Sequence, residues 1–135
     1  MPQVQINFLA VVAAAVANMI IASIWYSPGV FGKRWMSLAG IRQGGEMKGA
    51  GPAYAAAFVV ALILAYVLAH FVGYTQAHTL GDGLQLGFWV WLGFVATTSS
   101  GDYIFGGRPR PLYVLNNGYQ LVTLLINGVL LALWR

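Results

Sequence analysis

Apolar positions along this chain gather into four long blocks, residues 6–26, 53–74, 84–105 and 112–134, separated by shorter polar segments. Each block is close to the roughly 20 residues that an α-helix needs to cross a hydrocarbon core. A spanning segment must satisfy its own backbone hydrogen bonds, and four strands are too few to close a barrel, so all four blocks are predicted to be helices. The pattern therefore predicts an all-α membrane protein, a four-transmembrane-helix bundle in which residues 1–135 form a single membrane domain. The first block is expected to stay as a span. Its leader MPQVQ carries no Lys or Arg, and its apolar run is longer than the core of a signal peptide.

The polar segments refine this picture. In the first, residues 27–52, Phe31, Trp35 and Leu38 fall on one helical face while Lys33, Arg34 and Ser37 point elsewhere. That arrangement predicts a short helix lying in the membrane interface after the first span. The following IRQGGEMKGAGP is rich in glycine and reads as a linker. Lys33, Arg34, Arg42 and Lys48 occupy this segment, Arg108 and Arg110 occupy residues 106–111, and the segment 75–83 has no Lys or Arg. Only Arg135 falls on the other side. By the positive-inside rule both basic loops are cytoplasmic, the 75–83 loop is outside, and the topology is N-out/C-out. Trp25, Tyr26 and Trp35 flank the first inner boundary and Trp134 closes the last span, the headgroup positions that such rings favour. Trp25, Trp35, Lys33, Arg34, Arg108 and Arg110 are thus predicted topology anchors. The expected setting is a multi-pass protein of a bacterial inner membrane, with the lipid bilayer as its first partner.

Composition agrees and removes several classes of function. Of 135 residues, 59% are hydrophobic and 7% charged, against roughly 25% charged in soluble proteins. The net charge of +4 comes from seven cations spread along the chain, which make no basic groove for nucleic acid. There is no cysteine, so thiolate metal sites and disulfide chemistry are excluded, and with them the four-helix quinone-coupled disulfide enzymes. GGEMKGAG lacks the Lys-Ser/Thr ending of a phosphate loop. Only Glu46, Asp82 and Asp102 are available as carboxylates. A His70, His78 and Asp82 convergence has the weak spacing of chance. No cofactor, metal or catalytic residue is implied, and an enzyme is not expected.

Small residues recur every four positions in the second block, Ala53, Ala57, Ala61, Ala65, Ala69 and Gly73, with shorter versions at Ala10/Ala14, Ala13/Ala17 and Gly83/Gly87. Such stripes let helix backbones approach, within one chain or across a homo-oligomer seam. The fourth block carries Asn116, Gln120, Thr123 and Asn127 at spacings of four, three and four, one helical stripe. Asn7 and Asn18 share a face of the first block, Thr98 and Asp102 lie one turn apart in the third, and Tyr66 and His70 in the second. With Tyr26, these form a candidate polar or ligand cluster: Tyr26, Asp102 and Asn116 with Gln120 in the inner half, Asn18, Thr98 and Thr123 near the middle, and Asn127, His70 and Asn7 toward the outside. Asp102 is the only carboxylate within a span. It has three readings: hydrated or paired with Arg108, bonded to the fourth span, or a proton or ion site. His70 is expected to bond Tyr66 or a backbone carbonyl, and the Asn/Gln/Thr stripe to act between helices.

These residues carry a resemblance. Asn7 with Leu9-Ala10, WYSPGVFGKRW, LGFVATTSS with FGGRP, and NNGYQLVTLLINGVLLALWR together resemble the small membrane proteins of the domain of unknown function 1761 family, over nearly the whole chain. The resemblance implies four membrane helices and no assigned activity. It also implies an asparagine at the position of Asp102, a glutamate at Gly106 and a histidine at Gln120, so the acidic group here sits about one turn deeper. Three readings of function follow. The chain is a non-catalytic scaffold or accessory subunit of a larger membrane complex; or a small oligomeric transporter or channel using the polar path with Asp102; or a binder of lipid or apolar molecules walled by Trp89, Trp91 and Phe94. The membrane glutamate of small multidrug exporters and the motifs of fluoride channels are both absent.

Overall fold

The computed structural model describes residues 3–27, 29–39 and 50–134, and among them every regular element is helical. In order these are α1 (Phe8–Trp25), α2 (Gly32–Ala39), α3 (Ala50–Thr75), α4 (Leu80–Val90), a π-helical turn (Trp91–Ala96), α5 (Thr97–Ile104) and α6 (Arg110–Leu133). α1, residues Pro52–Thr75 of α3, and α6 are long and apolar enough to cross a membrane. The predicted third span is divided instead. α4 and α5 are each short, and the π turn between them interrupts the α-helical pattern. The junction residues keep right-handed helical dihedrals, so the chain stays helical from Leu80 to Ile104.

Local chemistry sets the ends. The Asn7 side chain caps α1 by accepting from the Ala10 N–H at 3.2 Å. Thr79 caps α4, accepting from the Asp82 N–H at 3.1 Å. Pro109 precedes α6 in an extended conformation, with a second proline in the first turn where no N–H is needed. α3 stops at Gln76, whose φ of 57° is left-handed. The Ala77 N–H returns to the Val72 carbonyl and the Gln76 N–H to Gly73, the paired bonds of a Schellman motif. α3 also starts earlier than the linker reading allows. Residues 50–52 are already helical, since Pro52 is tolerated in a first turn. The rest of that linker, Trp35's side chain and Leu38's side chain lie outside the described parts, while Lys33, Arg34 and Ser37 of α2 are exposed.

α1 runs antiparallel to both α3 and α6, whose C-terminal ends lie together beside the start of α1. At one end Asn7 Nδ2 donates to the Trp134 carbonyl (3.4 Å) and Val4 packs over Gly73. At the other, the last residues of α1 meet the first turns of α6. This second end carries Lys33, Arg34, Arg108 and Arg110 and is called the basic end below. α6 is the central helix, touching α1, α3, α4 and α5. The core is small and aliphatic: Ala10, Val11 and Ala14 of α1, Ala65, Leu68 and Val72 of α3, and Leu124 and Leu131 of α6. Large apolar side chains such as Val16, Ile20, Ile63, Val67 and Phe94 face outward, the reverse of a water-soluble bundle.

Candidate functional site

The polar side chains of α6 face inward along most of its length. At the basic end, Tyr26 Oη donates to Asn116 Oδ1 at 2.8 Å, and Asn116 Nδ2 reaches Tyr103 Oη at 3.4 Å, so one amide ties α1 to α5. Tyr119 stacks edge-on against Tyr26 (5.4 Å between ring centres), and its hydroxyl reaches the Asn18 carbonyl at 3.4 Å. Asn117, one residue round the helix from Asn116, serves the π turn and α5. Its Oδ1 lies 3.0 Å from Ser99 Oγ, and its backbone carbonyl accepts from Trp91 Nε1 at 2.9 Å.

The π turn helps explain this convergence. A π-helical turn disrupts the regular i→i−4 ladder and leaves carbonyls in need of other donors. Tyr113 Oη donates to the Ala96 carbonyl at 2.7 Å, and Thr97, Thr98, Ser99 and Ser100 each bond a carbonyl three or four residues back. Thr98 is therefore satisfied within its own helix, and it is exposed, outside the cluster. Asp102 is also exposed, and among the described residues it makes neither an ion pair with Arg108 nor a hydrogen bond to α6. Arg108 lies instead 5.8 Å from the centre of the Tyr103 ring.

Trp25 does more than mark a boundary. Its indole N–H donates to the Leu115 carbonyl at 3.2 Å, and its ring rests 4.7 Å from Phe31 and against Gly118, where a Cβ would stand 3.3 Å from the ring. The turn beneath it is closed by Phe31 N–H to the Trp25 carbonyl and Gly32 N–H to the Ser27 carbonyl. A Cβ at Gly32 would lie 2.7 Å from that Ser27 carbonyl, so the turn needs glycine there.

Toward the middle, Asn18, Thr123 and Asn127 are almost completely buried. Both polar side-chain atoms of each asparagine lack a hydrogen-bond partner. The Thr123 hydroxyl lies near the Tyr119 phenol but outside hydrogen-bond geometry. Gln120 is half-buried in the same stripe. The remaining candidates stand apart. Asn7 works as a cap, and His70 Nδ1 lies 2.9 Å from the Tyr66 carbonyl with its ring against Tyr66 and Tyr74. Trp89 and Phe94 face outward while Trp91 turns inward to Asn117, so the three do not wall one site.

Among the described residues, one pair of ionisable groups meets at the surface. His78 Nδ1 and Asp82 Oδ2 are 3.6 Å apart at the start of α4. The His78 backbone N–H, then the Thr79 hydroxyl, hold the Asp82 carboxyl below its ordinary range. Among the described residues no three His, Asp or Glu side chains stand close enough to hold a metal ion.

Comparison with protein families decides the identity. Residues 9–132 match the family described as "Protein of unknown function (DUF1761)". The chain belongs to that family. No curated protein and no solved structure matches it. The match includes every residue of the α6 stripe, Trp25, the π turn and Asn117, and leaves out Asn7, so DUF1761 is the setting of nearly all of the candidate site. Asn117, Tyr103, Tyr113 and Ser99 are the members of the site that spacing alone passes over. Their signal is the doubled Asn116-Asn117 and the hydroxyl run that follows the π turn.

Proposed function

We propose that the protein is a four-pass, N-out/C-out membrane module acting as a non-catalytic accessory or assembly subunit. The remaining crossing would be residues 84–104, the greater part of the continuous helical stretch Leu80–Ile104, which the alternating arrangement of the ends supports. One observation carries the functional reading. Most polar groups between the helices are occupied in tying helix to helix or in closing their own backbone, while the outward faces of α1 and α3 are apolar. A surface of that kind suits lipid and other membrane helices, not a reaction. The test is purification in mild detergent. A second membrane protein should co-purify at constant ratio in two detergents, and Ala57→Trp, on an exposed face of α3, should release it while the chain stays folded. A species containing this chain alone in both detergents overturns the reading.

A transporter is the second reading, favoured by the unpartnered Asn18, Thr123 and Asn127 atoms. Each such atom left dry costs about 1–3 kcal/mol, so water or a permeating solute at the seam would relieve it. Asp102, exposed and outside the seam, is not required. Ion or solute flux in proteoliposomes that Asn127→Leu abolishes supports this reading; an absence of flux in the unaltered protein removes it.

A further inference from the structure

A groove of about 500 Å³ opens on the flank of the bundle at the basic end, between α5 and α6. Its lining is Ser100, Tyr103, Ile104, Arg110, Tyr113 and Val114. The floor is rigid: the Tyr103 and Tyr113 rings meet edge to face at 4.8 Å, and the Tyr113 hydroxyl is anchored on the Ala96 carbonyl. Ile104 and Val114 are both highly exposed, at 69% and 68%, and give the groove aliphatic sides open to the surroundings.

Its charge is one-sided. Arg110 lines the groove, and the Arg108 guanidinium lies 5.8 Å from the centre of the Tyr103 ring that forms its floor. Neither joins an ion pair among the described residues. The only carboxylate on α5, Asp102, lies about half a turn round the helix from both Ser100 and Ile104, on the opposite side from the groove. An occupant is therefore expected to pair an apolar body, which the aliphatic sides favour, with a negative group, which the two guanidinium groups favour. A soluble anion would gain nothing from Ile104 and Val114, and a neutral lipid nothing from the arginines. Basic pockets between membrane helices on the cytoplasmic side are suited to anionic lipid headgroups.

We propose that this groove holds one anionic phospholipid, its acyl chain against Ile104 and Val114 and its phosphate at Arg110 with Arg108 beside it. The proposal rests on the membrane reading above. It assigns the loop between α5 and α6 a ligand as well as a topological role.

The test uses the full chain. Flotation with phosphatidylcholine vesicles comes first; a chain that stays at the bottom overturns the membrane reading itself. The folded protein in detergent is then given phosphatidylglycerol or phosphatidylcholine and examined by native mass spectrometry and thermal melting. The expected result is a one-to-one phosphatidylglycerol adduct that survives dilution, raises the melting temperature and is not displaced by inorganic phosphate. Arg110→Gln should weaken retention about fivefold, the worth of one cation at an anionic surface. The Arg108→Gln/Arg110→Gln pair should weaken it further, and Asp102→Asn should leave it unchanged. Equal retention of phosphatidylcholine, wild-type retention by the doubly substituted chain, or displacement by inorganic phosphate overturns the proposal while leaving the membrane reading intact.

Discussion

α6 meets its neighbours in two different ways along its length. Near Gly128 it touches α4 backbone to backbone. A Cβ at Gly83 would come within 2.6–2.7 Å of the Gly128 carbonyl and Val129, and one at Gly87 would collide with Leu124. At the basic end the same helix meets its partners through side chains and is laced to them by Tyr26, Asn116, Tyr103, Asn117 and Ser99. In lipid, apolar surfaces gain little from meeting one another, so close van der Waals contact and interhelical hydrogen bonds are what hold helices together. This chain assigns one device to each end. The glycine end has no slack, because backbone cannot move aside as a side chain can. The laced end has redundancy, because each bond is one of several. The first should resist insertion of a single methyl group badly, and the second should lose strength in small steps.

The largest effect is thus expected at the glycine end. Gly83→Val should destabilise by about 2–3 kcal/mol, because the helices must part to admit the side chain. Gly81→Ala, two residues away with nothing closer than 4.0 Å, should be neutral or gain up to about 1 kcal/mol from helix propensity. Reversible unfolding in mixed micelles measures both. A Gly83→Val chain as stable as the wild type would mean that α4 and α6 do not touch there, and the contrast between the ends would collapse.

At the laced end the expected losses are smaller and graded. Asn117→Leu removes the bond shared with Ser99, but Ser99 keeps its own Val95 carbonyl, so about 1 kcal/mol is expected. Tyr26→Phe removes one 2.8 Å bond, and its coupling to Asn116→Ala in a double-mutant cycle should be near ~0.6 kcal/mol. A loss at Tyr26 exceeding that of Gly83→Val would reverse the comparison.

How much of this was legible in the residues varies by element. Three of the four apolar blocks became long helices with boundaries shifted by three residues or fewer, because hydropathy over twenty positions is a strong signal. The stripe Asn116, Gln120, Thr123, Asn127 was visible in its spacing, and none of its members is exposed. Asn117 was passed over because a single stripe cannot show that a central helix is contacted on several sides. Thr98 and Asp102 were grouped with the polar cluster from a spacing of one turn, with Asp102 also read as hydrated at the boundary, and both are exposed. A π turn fits more residues into its circuit and so rotates every face after it, and no residue pattern before Trp91 announces that rotation. Gln76 is similar: the chain turns left-handed there without the glycine or asparagine that would mark it.

Acid separates the two ends by a different route. The laced end is bonded through Tyr, Asn, Ser and Trp side chains, with no carboxylate among them. The glycine end begins at the Thr79 cap, where Asp82 accepts from the His78 N–H at 3.3 Å and its carboxyl is held below the ordinary value of 3.8. A lowered carboxylate stabilises the fold above its unfolded pKa, and that contribution is lost as pH falls through the folded value. The Asp82 side chain is partly exposed, so salt and water screen the effect and the response should be local. Amide exchange in residues 79–84 should therefore quicken relative to residues 113–120 on acidification below about pH 4. Asp82→Asn should abolish that divergence, because the amide keeps the size of the cap without its charge. If both ends respond alike in the wild type, the carboxylate is not what fastens the start of α4, and the Thr79 hydroxyl holds that turn by itself.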